Sequence, residues 1–131
     1  MTTTVSTTRS ARNVPLASAR VFAGLLGAVQ LAGAGFFLLI ARDEAVWVGL
    51  WLDIPVVALM LSSIFLKLAL ALLPGLPATR RLAIGFLAVA IGIAVTLLKI
   101  PVYDEPEGAL FLAFDGVLLT LLVLAWRIAK R

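Results

Sequence analysis

Four long apolar runs, at about 21–40, 46–73, 82–100 and 109–127, dominate this chain. A hydrocarbon layer about 30 Å thick takes about 20 apolar residues of α-helix to cross. Each run meets or approaches that length, and charged residues fall mostly between the runs. Hydrophobic residues fill 63% of the 131 positions, and mean hydropathy is +1.13. A soluble domain of this size has too little interior to hide so much apolar surface. The runs therefore predict an all-α membrane protein. The expected form is a four-transmembrane-helix up-down bundle over 20–131, preceded by a disordered cytoplasmic tail over 1–19.

The tail is rich in Thr and Ser, carries Arg9 and Arg12, and lacks apolar periodicity. A signal-peptide reading fits less well, because the apolar run that follows exceeds the about 7–15 residues of such a segment.

Composition removes several kinds of chemistry. There is no cysteine, which excludes disulfides, thiol redox chemistry, Fe–S clusters and Cys-ligated zinc. There is no histidine either, so imidazole metal ligation, axial haem ligation by His and the usual neutral-pH general base are missing. No cofactor and no metal are expected, and the balance leans against an enzyme. A net charge of +4 and a pI near 10.4 raise nucleic acid as a partner. No basic cluster exceeds two adjacent residues, so nucleic acid is not expected. The basic residues instead flank the spans. Expected partners are the lipid bilayer and either further copies of the chain or another membrane protein.

Charge placement predicts orientation. Arg9, Arg12, Arg20, Arg80, Arg81, Arg127, Lys130 and Arg131 share one side of a four-span chain. Only Arg42 and Lys99 fall on the other, beside Asp43, Glu44, Asp104, Glu105 and Glu107. The positive-inside rule then puts both termini in the cytoplasm, with the cell (inner) membrane as the expected location. Trp47, Trp51 and Tyr103 mark the outer boundary and Trp126 the inner one. The sequence Pro74-Gly75-Leu76-Pro77 reads as a helix stop and turn, and Pro101 and Pro106 bracket the acidic loop.

A shift of 61 residues lays Arg20 on Arg81, Gly24 on Gly85, Asp43 on Asp104 and Glu44 on Glu105; one inserted residue adds Asp53 on Asp115. This pattern is compatible with two repeated helical hairpins, and also with coincidence in a Leu/Ala-rich chain. It bears on the second span. One placement begins that helix at Ile54, after an Asp53 cap, and buries Lys67 below the midplane. The other begins near Val46, sets Asp53 about 10 Å inside the outer edge and drops Lys67 to the inner interface, about 21 Å lower. The second placement is preferred, because it leaves no isolated lysine in hydrocarbon.

Asp115, in LFLAFDGVLLT, is the sharpest candidate for chemistry. A carboxylate at that depth costs about 2.5–3.5 kcal/mol on insertion scales, so something must offset it. It reads either as a protonatable or cation-binding site or as a structural hydrogen bond or salt bridge. Lys99 and Thr96 are the expected neighbours. Asp53 joins them if the hairpins repeat, and two facing carboxylates would share a proton or a cation. Gln30, Ser62, Ser63 and Thr120 lie at central depths and are expected to bond across helices or to their own backbone. Gly24, Ala28 and Ala32, and Ala88 and Gly92, recur every four positions and read as helix-packing faces.

The Arg20-x3-Gly24 opening of a four-span chain resembles that of the small bacterial DoxX-like membrane proteins. The resemblance covers part of the first helix, and no activity or site residue is carried over from it. Size and span number also resemble the small multidrug-resistance transporters, but their signature Glu in the first span has no counterpart here. Two functions stay open. One is a non-enzymatic accessory or packing subunit of a membrane complex. The other is a dimeric small transporter or proton-coupled permease that uses intramembrane carboxylates.

Overall fold

The computed structural model describes residues 13–40, 47–103 and 108–130. These residues form four helices: α1 Val14–Leu39, α2 Leu50–Leu72, α3 Ala78–Val102 and α4 Gly108–Lys130. No strand occurs among the described residues. Each helix is long and apolar enough to cross a membrane, which suggests a multi-pass membrane protein. α1 packs on α2 and α4, and α3 packs on α2 and α4.

The helix ends follow local chemistry. The Asn13 side chain accepts a hydrogen bond from the Leu16 N–H at 3.3 Å, and Pro15 stands in the first turn. The helix therefore starts at Val14, and Ala19 is fully buried. This corrects the disordered tail expected over 1–19 for residues 14–19; residues 1–12 lie outside the described set. The α2–α3 turn needs Gly75, whose φ is +73°. α3 runs through Pro101 in its last turn and ends at Val102, with Tyr103 as its C-cap, so that proline lies inside the helix instead of in the loop.

The second span is also corrected. Residues 47–49 are not helical and α2 begins at Leu50, so Asp53 stands in the first turn. Its side chain reaches back to the Gly49 N–H at 3.0 Å and the Val48 N–H at 3.1 Å. That capping is available only if the helix starts here, and it outweighs the longer helix expected from Val46. Lys67 consequently moves inward. It is 0% exposed, not at an interface.

The surface is apolar like the interior, unlike that of a water-soluble bundle, and the interior also holds charged side chains. Leu25, Phe36, Trp51, Phe65, Leu97 and Val117 face outward, while Asp53, Lys67, Arg81 and Asp115 are buried. Two apolar clusters fill the interior. Ala19, Ala23, Leu70, Leu82, Val89, Leu118, Leu122 and Ala125 form one; Val56, Val95 and Tyr103 form the other. Ser63, Lys67 and Gly92 fall between these clusters along α2 and α3, and Asp115 precedes the first cluster's α4 residues by one turn.

On α1 the packing face differs from the expected one. Gly24 meets Ala71, where an added Cβ would lie 3.0 Å from the alanine methyl, but Ala28 and Ala32 are exposed. The buried small residues are Ala19, Ala23, Gly27 and Ala34. The cause is Gln30, which turns inward to reach Lys67. Residues two positions away are rotated by about 200°, so Ala28 and Ala32 must face out. Ala88 and Gly92 on α3 are buried.

Candidate functional site

All four helices meet around Lys67. From α2, its ammonium lies 2.9 Å from Asp115 Oδ1 on α4 and donates to Gln30 Oε1 on α1 at 2.8 Å. From α3, Gly92 presses against the same group. A Cβ at that position would sit 2.9 Å from Ser63 Oγ, 3.0 Å from Asp115 Oδ2 and 3.3 Å from Lys67 Nζ. Only glycine admits the charged pair this close to the α3 backbone. Ser63 Oγ donates to the Ala88 carbonyl at 2.7 Å, which holds α2 and α3 together one turn away.

The pair is fully enclosed, with Asp115 0% exposed. Two charges taken out of water cost several kcal/mol each, and mutual attraction offsets this only with good geometry and further hydrogen bonds. Lys67 has Gln30 as well as Asp115. Asp115 Oδ2, however, accepts no hydrogen bond among the described residues. A buried carboxylate oxygen without a donor is uncommon and marks an atom open to a proton.

A cavity of about 240 Å³ opens beside this group. Gln30, Ser63, Lys67 and Gly92 line one part of it, and Asp53, Lys99 and Tyr103 another. Val29, Phe37, Val56, Met60 and Phe111 make the rest of its wall largely apolar. Asp115 is not part of the lining, so Lys67 stands between the cavity and the carboxylate. The arrangement can take a compact apolar body with one polar, acceptor-bearing end directed at Lys67.

The other expected site residues are distributed differently. Tyr103 Oη donates to Asp53 Oδ1 at 2.6 Å, which clasps the end of α3 to the start of α2. Asp53 and Lys67 are 14 positions apart on one helix, about 21 Å, so Asp53 does not face Asp115. The shared proton or cation between the two carboxylates is thereby ruled out, and their matched depth with it. Thr96 Oγ1 bonds back to the Gly92 carbonyl at 2.7 Å and not to Asp115. Lys99 Nζ lies 3.5 Å from Met60 Sδ and lines the cavity. Ser62 and Thr120 bond back to Ala58 and Gly116 of their own helices. The repeat's Asp43–Asp104 and Glu44–Glu105 matches lie outside the described residues.

Lys67 as the partner of Asp115 is what the preferred sequence reading missed. The signal was present in the alternative start at Ile54, which put this lysine below the midplane. A lone lysine on one span, a lone aspartate on another and Gln30 on a third were the clue. Comparison of the chain with protein-family models, with curated proteins and with solved structures returned no match.

Proposed function

We propose that this chain is a small membrane carrier that binds an amphipathic anion in the cavity and couples its binding to uptake of a proton. The observation that carries the reading is the enclosed Lys67–Asp115 pair at the border of a largely apolar cavity. In the empty state Lys67 is neutralised by Asp115. An anionic head entering from the cavity side competes for the ammonium. Asp115, deprived of its counter-ion, then takes one proton, for which Oδ2 is open. One anion and one proton are bound together, and the site's total charge is unchanged. That neutrality is what makes a carrier cycle feasible in hydrocarbon.

The order of the buried layers favours an up-down bundle. Val56, Ser63, Lys67 and Leu70 ascend α2 in the sequence in which Val95, Gly92, Val89 and Leu82 descend α3. The distribution of basic residues favours both termini in the cytoplasm and an inner-membrane location. The outward apolar faces favour contact with lipid.

A short alkyl sulfonate is a suitable probe, because it stays anionic and does not cross bilayers as a neutral acid. Proteoliposomes should accumulate hexanesulfonate when the outside is more acidic than the lumen. Asp115→Asn should abolish the dependence on the proton gradient, and Lys67→Gln should abolish binding. Uptake equal to that of empty liposomes, or unchanged in both variants, would refute the carrier reading. The accessory-subunit reading has one observation in its favour: Ala28 and Ala32 leave an exposed small-residue face on α1 for a second membrane helix. Purification in mild detergent with a stoichiometric partner, together with no uptake, would select it.

A further inference from the structure

We propose that Arg20 and Arg81 form a binding site for a phosphate anion, with the headgroup of an anionic phospholipid as its source. Arg20 donates through Nε to the Leu70 carbonyl at 3.1 Å and through Nη2 to the Ala71 carbonyl at 3.0 Å. Arg81 donates through Nε to the Leu76 carbonyl at 3.1 Å and through Nη1 to the same Leu70 carbonyl at 3.4 Å. Two guanidiniums from α1 and α3 thus share one oxygen at the end of α2. They are close enough to repel each other.

The carbonyl end of a helix offers about half a negative charge, which does not balance two full positive ones. No carboxylate compensates among the described residues: their two acids, Asp53 and Asp115, are engaged by Tyr103 and Lys67. The acids that remain are in 43–44 and 104–107, outside the described residues. In sequence they follow α1 and α3, whose far ends lie roughly 30 Å along the helices from these arginines. Arg81 is only 7% exposed and Arg20 is half-buried.

Donors are left over. Nη1 of Arg20 and Nη2 of Arg81 donate to nothing among the described residues. Each guanidinium carries five N–H donors in a planar fork that fits two oxygens of a phosphate. The carbonyl bonds fix the Nε sides and leave the Nη sides for a ligand. The site lies at the level of the α2–α3 turn, where a spanning α2 leaves the hydrocarbon and lipid phosphates begin. The geometry serves a phosphodiester as well as free phosphate, and charge selects among lipids: the phosphate of phosphatidylcholine brings its own choline cation, which two guanidiniums repel, whereas an anionic headgroup such as phosphatidylglycerol brings none. The inference rests on the membrane reading of the four helices and is independent of the cavity.

The test compares thermal unfolding midpoints of the full chain in three settings. These are nanodiscs of phosphatidylcholine, nanodiscs of phosphatidylcholine mixed with phosphatidylglycerol, and the first setting with inorganic phosphate added at constant ionic strength. Phosphatidylglycerol should raise the midpoint by about 2–6 °C over phosphatidylcholine alone. Arg20→Gln with Arg81→Gln should remove that increment, whereas Arg80→Gln, an exposed neighbour outside the pair, should keep it. Each increment is taken within one variant, so a lower starting stability does not obscure it. If the double variant does not fold, Arg20→Gln alone should at least halve the increment. A rise with inorganic phosphate but none with phosphatidylglycerol would keep the phosphate site and discard the lipid as its source. Equal midpoints in all three settings would overturn the proposal. So would an increment that survives in the double variant or disappears equally with Arg80→Gln.

Discussion

At the scale of single residues, the interior of this chain is organised by groups that hydrocarbon should reject. Lys67 and Asp115 lie 2.9 Å apart, so each offers the other the partner that water would otherwise supply. Removing one partner is the harsher change. Asp115→Leu alone leaves an unpaired buried ammonium and should cost about 3–5 kcal/mol of unfolding free energy in detergent. Gly92 sets how close α3 can come. Gly92→Ala puts a methyl within 3.0 Å of Ser63 Oγ and Asp115 Oδ2, so the pair must shift. A loss of about 1–3 kcal/mol is expected, as for overpacking elsewhere. Gly116→Ala is the matched control, since nothing lies within 4 Å of its added Cβ. It should be neutral or slightly stabilising, because alanine is the better helix former. Equal losses at both glycines, measured by unfolding in the same detergent, would show that the close approach at Gly92 does not matter.

At the scale of elements, polar groups decide helix start and helix rotation. The apolar runs made the number and approximate extent of the helices legible in the sequence, because span length is a bulk property of hydropathy. They did not reveal rotation. A run that is apolar all round has no preferred face, so the four-residue spacing of Gly24, Ala28 and Ala32 was a weak guide. Gln30 carried the information, and it became readable only once Lys67 was placed. The start of α2 at Leu50 lies between the two starts that the sequence offered, Val46 and Ile54; the Ile54 start was right only in burying Lys67, and a rule against lysine in hydrocarbon overrode it. That rule holds for a lysine without a partner, and here the partner comes from a helix that begins 41 positions after Lys67. Asp115 was legible as a site residue; its partner was not, because the pairing is long-range. Two consequences follow on α1. Gly27→Leu should destabilise the fold, since a Cβ there already meets Leu68 at 3.2 Å. Ala28→Leu should be mild, because Ala28 is exposed. A larger loss of thermal stability for Ala28→Leu than for Gly27→Leu would return the packing face to the expected stripe. At the opposite end of the cavity, Tyr103→Phe removes the 2.6 Å bond to Asp53 and should lower the unfolding midpoint. Asp53→Asn should lower it at least as much, because the single amide oxygen can keep Tyr103 and Val48 but leaves an NH2 donor facing the Gly49 N–H.

At the scale of the whole molecule, the polar centre joins helices that are otherwise separate. Adjacent helices pack along their lengths, whereas α2 and α4 face each other diagonally with little backbone contact. Lys67 spans that diagonal to reach Asp115, while Gln30 and Gly92 bring in α1 and α3. The four spans therefore converge on one point, bordered by the cavity. Orientation is checked separately: reporter fusions after Arg131 and within 103–107 should report opposite sides of the membrane, and identical signals would contradict four crossings. The central claim is that Lys67 and Asp115 act as one unit across the bundle. A double-mutant cycle with Lys67→Met and Asp115→Leu, read as unfolding free energy in one detergent, tests it directly. Each single variant should be destabilised by about 3–5 kcal/mol, and the double variant should return close to the parent, a coupling of at least about 2 kcal/mol. Losses that simply add, within about 0.5 kcal/mol, would contradict the pair and the site built on it.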